Sequence, residues 1–475
     1  MRPKKSKPVP SEPDSSESLY IRATEEEESG DRWLGSDLAK ALRFYQRAYS
    51  LYLESIKLQQ DYLDSRYNVS RLLFYVYENF VKNDAVLLDE FENCDEALAG
   101  GAASVVRPLD QIISVFQESI QIAESVSAFP WDLYYNAVLC FQDFIEDLEK
   151  SDNQTFGDIV SCAVQSVEYL EKILEYQVKE LESLTTGSEI EQPTQQQEYE
   201  TQEEAILPST ALESCATAYR IIGSVYDSAK SEHEKQTVES QFGQFVLIVD
   251  QIVAQLTQSY SSSNLLPPLS PEDLTQVHYA RLGYESSKAN NFETLVQIWN
   301  TDMTLEKLLL ENESYRTFLD KSALSPVELR TVLAAISSRY KQGFDLLKSE
   351  FDNSKRNLSA SSHLGSTIAQ ICSILIERAD IDLERSKLDV VDEKSRSILA
   401  SNANKLLRNA ITYAQMSGGL RESALEKLAR RKKLKEASTR LCLLEGKDST
   451  EELDKIVGAT FWPRELAEIR ELGIY

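Results

Sequence analysis

The scarcity of helix-breaking residues is the feature that most constrains the fold of this chain. Only 16 Gly and 13 Pro occur among 475 residues, and long runs rich in Leu, Glu, Ala and Tyr lie between them. Residues of these types favour helix, and no block of alternating β-branched residues predicts a sheet. The composition therefore predicts an all-α protein, built either as two or three domains or as one extended solenoid.

Residues 279–299 predict two helices joined by a tight turn at Asn290. Leu295 and Trp299 are four residues apart, so they fall on one face of the second helix. Gly283, in the first helix, is expected to let the two helices approach closely while aromatic side chains fill the space between them. This segment predicts a helical hairpin.

Parts of the same pattern recur elsewhere in the chain. The segments concerned are A-x3-Y-x2-A at 41–48, F-Q-x-S at 116–119 and Y-x2-I-G-x2-Y at 219–226. A Tyr-Asn pair at 67–68 recurs at 135–136, which is twice a period of 34 residues. Other intervals do not fit that period, so we expect irregular repeats with long helices and insertions.

These segments resemble tetratricopeptide-repeat (TPR) proteins over residues 33–80, 112–142, 214–230 and 279–300. The resemblance covers about a third of the chain and rests on degenerate motifs. It implies a TPR-like α-α superhelix, a solenoid of antiparallel helix pairs. In such proteins the first helices of the pairs line a concave groove, which holds a peptide or a partner's helix.

The resemblance also suggests binding residues. Asn68 and Asn136 match the position where an Asn faces the groove and bonds to a ligand backbone, and Arg71 shares the face of Asn68. Alternatively, each Asn lies at a helix start or on the surface. Family members that bind chaperone tails hold a terminal carboxylate with basic groove residues, but Tyr67 occupies the corresponding place here. The candidate protein-binding residues are therefore Asn68, Arg71 and Asn136.

Composition divides the chain into four expected segments. We expect a disordered tail at 1–32 and N-terminal helical repeats at 33–184. A disordered acidic Gln/Glu-rich loop follows at 185–209, and C-terminal helical repeats with a capping C-terminal segment occupy 210–475. The tail and the loop contain too few aliphatic and aromatic residues to bury a core.

Two short basic runs interrupt the acidic background. One lies in the tail and is either a nuclear-import signal or an ordinary basic terminus; the residues concerned are Lys4, Lys5 and Lys7. The other lies at 430–435 and has three functional interpretations: import, contact with an anionic ligand, or docking onto the acidic part of the chain. We favour instead a solvated helix face neutralised by Glu426 and Glu436.

The net charge of −27 and the cysteine pattern indicate partners and compartment. This charge repels phosphate, so we expect no direct nucleic-acid partner and favour a basic protein partner over a merely acidic, soluble surface. Six scattered Cys without a CxxC pair, and no signal peptide, indicate reduced thiols. We expect a cytoplasmic protein, with nuclear entry as the alternative. No apolar run approaches the roughly 20 residues of a membrane helix.

Sequence motifs for catalysis or metal binding are absent. The three His residues have no Cys, His or acidic neighbours at ligand spacing, and no GxGxxG, GxxxxGK[ST], GxSxG or HExxH occurs. We therefore predict no catalytic residues, no metal, no cofactor and no enzymatic activity.

The leading functional hypothesis is a non-enzymatic adaptor or dedicated chaperone that binds a basic protein segment. From Trp33 to Leu184, acidic residues outnumber basic ones by more than two to one, which favours association with a Lys/Arg-rich partner. Two alternatives stay open. One is a structural subunit of a larger intracellular complex, held through apolar surface, and the other is an enzyme of unrecognised type on a helical scaffold.

Overall fold

The structure, a computed structural model, is helical throughout the part of the chain that it describes. The described residues are 15–150, 155–186, 206–260, 267–356 and 363–475. They contain α-helices, a π-helical turn and a 3-10 turn, but no β-strand. The prediction of an all-α fold is confirmed.

Eighteen α-helices occur within the described residues. In chain order they are α1 Ser16–Leu34, α2 Leu38–Leu58, α3 Leu63–Val76, α4 Asp95–Leu98, α5 Leu109–Ser125, α6 Trp131–Glu149, α7 Phe156–Thr186, α8 Pro208–Ser228, α9 Glu232–Tyr260, α10 Pro271–Ser287, α11 Phe292–Ile298, α12 Leu305–Lys321, α13 Pro326–Arg356, α14 Leu364–Ser386, α15 Glu393–Ala414, α16 Ala424–Leu444, α17 Thr450–Ile456 and α18 Trp462–Leu472.

Helices that are neighbours in sequence pack as pairs, as in a helical solenoid. In the first part of the chain α1 packs on α2, α2 on α3 and α3 on α5. Later in the chain α7 packs on α8, α8 on α9, α13 on α14 and α14 on α15. Helices one position further apart also touch, namely α8 with α10, α10 with α12 and α14 with α16. The expected stacking of helix pairs is therefore present.

The chain divides into two compact units, Met1–Phe144 and Ile145–Tyr475. The division falls inside α6, whereas we expected it at the acidic segment 185–209. The reason is that α7 and α8, which flank that segment, pack against each other and belong to one unit. Most of the acidic segment, 187–205, lies outside the described residues.

The prediction of disorder for residues 1–32 is wrong for the part that the structure describes. Helix α1 begins with a reciprocal cap between Ser15 and Ser18 and buries Leu19, Ala23 and Gly30 against α2. These buried positions follow helical spacing, but two of them are small. The buried face of α1 is therefore only weakly hydrophobic. The acidic residues around it mask its helical periodicity in the sequence.

The predicted hairpin at 279–299 is present, but one of its residues has a different role. Asn291 caps α11, and Leu295 and Trp299 are buried in one hydrophobic cluster with Tyr279. A side chain at Gly283, however, would meet no atom within 4 Å. The close approach lies instead at Gly223 of α8, where a Cβ atom would be 3.5 Å from the Cα of Tyr284 in α10.

The C-terminal segment, predicted as a cap, packs on the last long helix, α16. Helix α18 packs on α16, and Arg440 of α16 makes ion pairs with Glu465 of α18 and, at 3.0 Å, with Asp380 of α14. All three side chains are buried. Among the described helices, none combines the length and the apolar character needed to cross a membrane.

Gly30 offers a direct test of the α1–α2 packing. A Cβ atom there would lie 2.4 Å from the ring of Tyr45, which is completely buried and whose hydroxyl is bonded to Asp31. We expect Gly30→Ala to lower the free energy of unfolding by about 1–3 kcal/mol through overpacking. Gly35→Ala is the matched control, because nothing lies within 4 Å of its Cβ position. Equal stabilities of the two variants in chemical denaturation would contradict the helical assignment of residues 16–34.

Candidate functional site

Helix α1 covers two of the predicted binding residues, Asn68 and Arg71 of α3. Asn68 is only 8% exposed, and its Nδ2 donates to the Tyr20 hydroxyl at 3.3 Å. Arg71 Nε donates to Asn68 Oδ1 at 3.2 Å, and the Arg71 guanidinium also pairs with the Glu27 carboxylate. The two residues share a face, as expected. The structure places that face against α1 and not along an open groove.

Tyrosines of α2 complete this polar seam between α1 and its neighbours. The Tyr52 hydroxyl donates to Glu27 Oε2 at 2.9 Å, and the Tyr45 hydroxyl donates to Asp31 Oδ1 at 2.8 Å. Burial, together with the carboxylate that each hydroxyl faces, raises the pKa of both tyrosines, so both stay protonated donors. The seam is satisfied internally and holds α1 in place.

Asn136, the third predicted binding residue, has local partners. Its Nδ2 donates to the backbone carbonyl of Asp132, one turn earlier in α6, at 2.9 Å, and its side chain also meets the Tyr67 hydroxyl. Asn136 is half-buried. The predicted import residues Lys4, Lys5 and Lys7 lie outside the described residues.

A different set of side chains forms the strongest candidate site, and all of them belong to the second unit. We call this set the acidic row and define it by the carboxylates Glu146, Glu149, Asp227, Glu313 and Glu377. They are contributed by α6, α8, α12 and α14. Glu149, Glu313 and Glu377 are exposed to solvent, and yet enough protein surrounds each to raise its pKa by desolvation.

The first part of the row joins the end of α6 to the end of α8. Asp227 pairs with Lys321 at 2.5 Å, but burial outweighs that lysine and raises the pKa of Asp227. Glu149 accepts a hydrogen bond from the Ser228 hydroxyl. Burial raises the pKa of Glu149, and the neighbouring Asp227 and Glu146 raise it further against that hydrogen bond.

Glu313 lies at the centre of the row. Its pKa is raised first by burial and then by the negative charges of Glu146 and Asp227, with Lys150 acting in the opposite direction. Carboxylates from three different helices therefore repel one another here. A positive charge that entered this space would remove that repulsion.

Glu377 of α14 extends the row. Burial and the nearby Asp380 raise its pKa, while Arg316 and Arg440 lower it. Burial raises the pKa of the Tyr340 hydroxyl in α13, and the negative charges of Glu377 and Glu313 act in the same direction, so Tyr340 lies within electrostatic range of both. Arg316 itself is bound to Glu384 at 3.0 Å, so its charge is shared.

The row differs from the buried charges that stabilise the same unit. Glu311, which is completely buried, accepts from Lys307 at 2.8 Å, Arg339 at 2.8 Å and Tyr315 at 2.5 Å. Among the described residues, Glu313 and Glu377 make no ion pair within 4 Å. The protein pairs the charges in its core, and in the row it pairs Asp227 with Lys321 but leaves Glu313 and Glu377 without an ion pair to the described residues, which is a pattern expected of a cation-binding surface.

The basic run at 430–435 is largely neutralised within the protein. Arg430 pairs with Glu422 at 2.7 Å, Lys433 pairs with Glu436 at 2.8 Å, and the Lys435 ammonium lies 5.2 Å from the centre of the Phe461 ring. Glu436 therefore acts as expected. The second partner is Glu422, whereas Glu426 caps the start of α16.

Comparison with known proteins finds a matching family model and a similar protein. Neither description names an activity. A family model described as the YNL193W C-terminal domain matches residues 290–462. Over an alignment of 508 residues, the chain is 22% identical to the uncharacterized protein YNL193W of Saccharomyces cerevisiae (strain ATCC 204508 / S288c). The alignment covers 90% of this chain and 89% of that protein. The matched domain includes Glu313 and Glu377 of the acidic row.

Glu313→Gln is expected to stabilise the protein at pH 7.5 and to lose that effect in acid. The folded state raises the pKa of Glu313, so its charged form opposes folding at neutral pH. Protonation relieves the repulsion as pH falls through the raised pKa. We expect the melting temperature to rise on the order of 1 °C at pH 7.5, with the difference shrinking at pH 4.5.

Glu328→Gln is the control for that experiment and should have the opposite sign. Glu328 accepts from the backbone and hydroxyl of Ser325 at the start of α13, and these bonds lower its pKa. Its neutralisation should lower the melting temperature at pH 7.5. The same loss of stability in both variants, measured by thermal denaturation, would contradict charge crowding at Glu313.

Proposed function

We propose that this chain is a non-enzymatic, TPR-like adaptor or dedicated chaperone that holds a basic protein segment along the acidic row. One observation carries the proposal. Carboxylates from four helices crowd into one region of the second unit, and the exposed Glu313 and Glu377 make no ion pair with the described residues around them. A surface with this excess of negative charge attracts Lys and Arg side chains.

The energetics favour a partner that enters the row with several cations. An isolated exposed ion pair contributes only about 0–1 kcal/mol, because solvent screens it and two flexible side chains must be ordered. At the row, each added cation also relieves repulsion that the folded protein already contains. Several weak contacts of this kind add up to affinity for a Lys/Arg-rich segment and accelerate association at low salt.

The stacking of neighbouring helices in pairs supports the same proposal. Helix pairs that stack side by side present equivalent faces of successive helices to one ligand. In the first unit, α1 covers the face that carries Asn68 and Arg71, so the proposal assigns capture to the second unit. The excess of acidic residues disfavours a nucleic-acid ligand. The proposed partner is therefore a basic protein of the cytoplasm or, if the basic tail directs import, of the nucleus.

A second candidate function, a structural subunit of a larger complex, has its own supporting observation. Leu247 and Ile248 of α9 are 55% and 40% exposed, and they are adjacent in sequence. Leu247 also borders an open groove together with Val246 and Tyr284. A partner bound through this apolar surface would stay bound at high salt, unlike one held by the acidic row.

The test of the leading proposal is a pull-down from cell extract at rising salt. We expect Lys/Arg-rich proteins to bind the full chain at low salt and to be released at about 0.3 M salt. The shorter Debye length at that salt concentration screens the attraction between the carboxylates and the bound cations. The variant Glu149→Gln/Glu313→Gln/Glu377→Gln should lose those proteins even at low salt.

The control variant carries the same change in net charge outside the row. Glu272, Glu293 and Glu451 are exposed carboxylates in the first turns of α10, α11 and α17. Their replacement by Gln should leave the captured proteins almost unchanged. Salt-insensitive capture, or equal losses in the two triple variants, would contradict the proposal.

A further inference from the structure

A small polar cleft lies at one end of the acidic row, where three helices end together. Its cavity has a volume of about 110 Å³. Asp227 lies in the last turn of α8, Ser286 and Ser287 end α10, and Lys321 ends α12. Other lining residues add oxygen-bearing side chains, including Asn290, Ser314, Thr317 and Ser322. The cleft is thus rich in hydrogen-bond acceptors.

The helix ends at the cleft favour a cation, although its charged lining consists of one carboxylate, Asp227, and two ammonium groups, Lys235 and Lys321. The carbonyl ends of three helices converge there, and each carries a partial negative charge. The amino ends of α9 and α11 begin nearby, and each has a side-chain cap: the Ser231 hydroxyl accepts from the Glu234 N–H at 3.2 Å, and Asn291 accepts from the Thr294 N–H at 2.8 Å.

The cleft already holds the protein's own ammonium groups. Lys321 Nζ contacts Asp227 Oδ1 at 2.5 Å, and Lys235 Nζ donates to Asn290 Oδ1 at 3.2 Å. The side chains of Lys321 and Asp227 are 29% and 33% exposed. An ion pair that water reaches to this extent is weak enough to be exchanged for another.

Ser286 provides an independent sign that the cleft is incomplete. Its side chain lines the cavity, is only 7% exposed, and its Oγ has no hydrogen-bond partner. A buried hydroxyl without a partner is destabilising. A hydrogen-bond donor that reached this oxygen from the cavity would satisfy it.

We propose that this cleft anchors one lysine or arginine side chain of the bound segment, and that Lys321 occupies Asp227 until the incoming cation displaces it. This inference rests on the proposed function and deepens it. Asp227 accepts from the ligand's ammonium or guanidinium group, Ser286 Oγ supplies a second acceptor, and Lys321 is an internal competitor. The ligand is therefore a basic side chain of a peptide. It must displace Lys321 from Asp227 in order to bind, so Lys321 lowers its affinity.

The experiment measures binding of fluorescein-labelled octalysine to the full chain by anisotropy. Lys321→Met removes the competitor and should tighten binding about fivefold. Lys348→Met is the matched control, because Lys348 pairs with Asp352 at 2.7 Å within α13 and its loss changes the net charge equally. Its effect should be much smaller.

Two further variants keep the test decisive if Lys321→Met is poorly folded. Asp227→Asn should weaken binding, and the gain from Lys321→Met should vanish in the Asp227→Asn background. Ser286→Ala should weaken binding roughly two- to tenfold while leaving the melting temperature unchanged or higher, since it removes an unpartnered hydroxyl.

The outcomes separate this inference from the proposed function. Equal effects of Lys321→Met and Lys348→Met on octalysine binding would overturn the inference and leave the acidic row as the binding surface. Binding of octaglutamate that is lost in Lys321→Met would overturn it in favour of an anion site. An unaltered chain with no affinity for octalysine at low salt would overturn both.

Discussion

The close approach of neighbouring helices at small side chains is the constraint on which the candidate site depends. Gly223 of α8 allows the backbone of α10 at Tyr284 to come within van der Waals distance of its Cβ position. Asp227 follows one turn later in α8, and α10 packs in turn on α12, which carries Glu313 and Lys321. Tight packing therefore brings charged residues that are far apart in sequence into electrostatic range.

Close helix packing at a glycine also occurs in the first unit, but its effect there is different. Gly30 of α1 lies against the ring of Tyr45, and the short distance lets Glu27 reach both Tyr52 and Arg71. There the charges are paired and largely buried, so they fasten α1 to its neighbours. Close helix packing therefore produces a paired, stabilising set of charges in the first unit, where Arg71 neutralises Glu27. In the second unit it produces repulsion between carboxylates, because Glu313 and Glu377 have no ion-pair partner among the described residues.

The acidic row stores unfavourable electrostatic energy in the folded state. Burial raises the pKa of Glu149, Glu313 and Glu377, and carboxylate neighbours raise each further, so ionisation of all three opposes folding at neutral pH. Residues arranged for stability alone would be paired, as Glu311 is with Lys307 and Arg339. In the proposed function, binding of a basic segment converts this unfavourable term into affinity, which is a common compromise between stability and function.

Sequence patterns predicted the helices better than the site. Long periodic runs located most helices, and the shared face of Asn68 and Arg71 follows from their three-residue spacing. Helix α1 was missed because, apart from Leu19, its buried positions hold small residues and Glu27, whose partners lie in α2 and α3. The expected role of Gly283 was wrong because repeat position alone does not show which helix comes close.

The acidic row could not be located from sequence spacing. Its members come from four helices, and Glu149, Asp227 and Glu313 are each separated by more than seventy residues. The net charge of −27 indicated a basic partner but did not indicate where that partner would bind. The packing of α8 on α10 and of α10 on α12 brings Asp227 and Glu313, which are far apart in sequence, into the same region.

The most direct measurement is the number of protons released when octalysine binds. Calorimetric titrations of the full chain at several pH values between 4.5 and 7.5, each in two buffers of different ionisation enthalpy, give that number. If the cations enter the acidic row, they lower the raised pKa values of its carboxylates, and binding releases protons. Binding with no proton release would contradict the account, because the peptide would then be held away from these carboxylates.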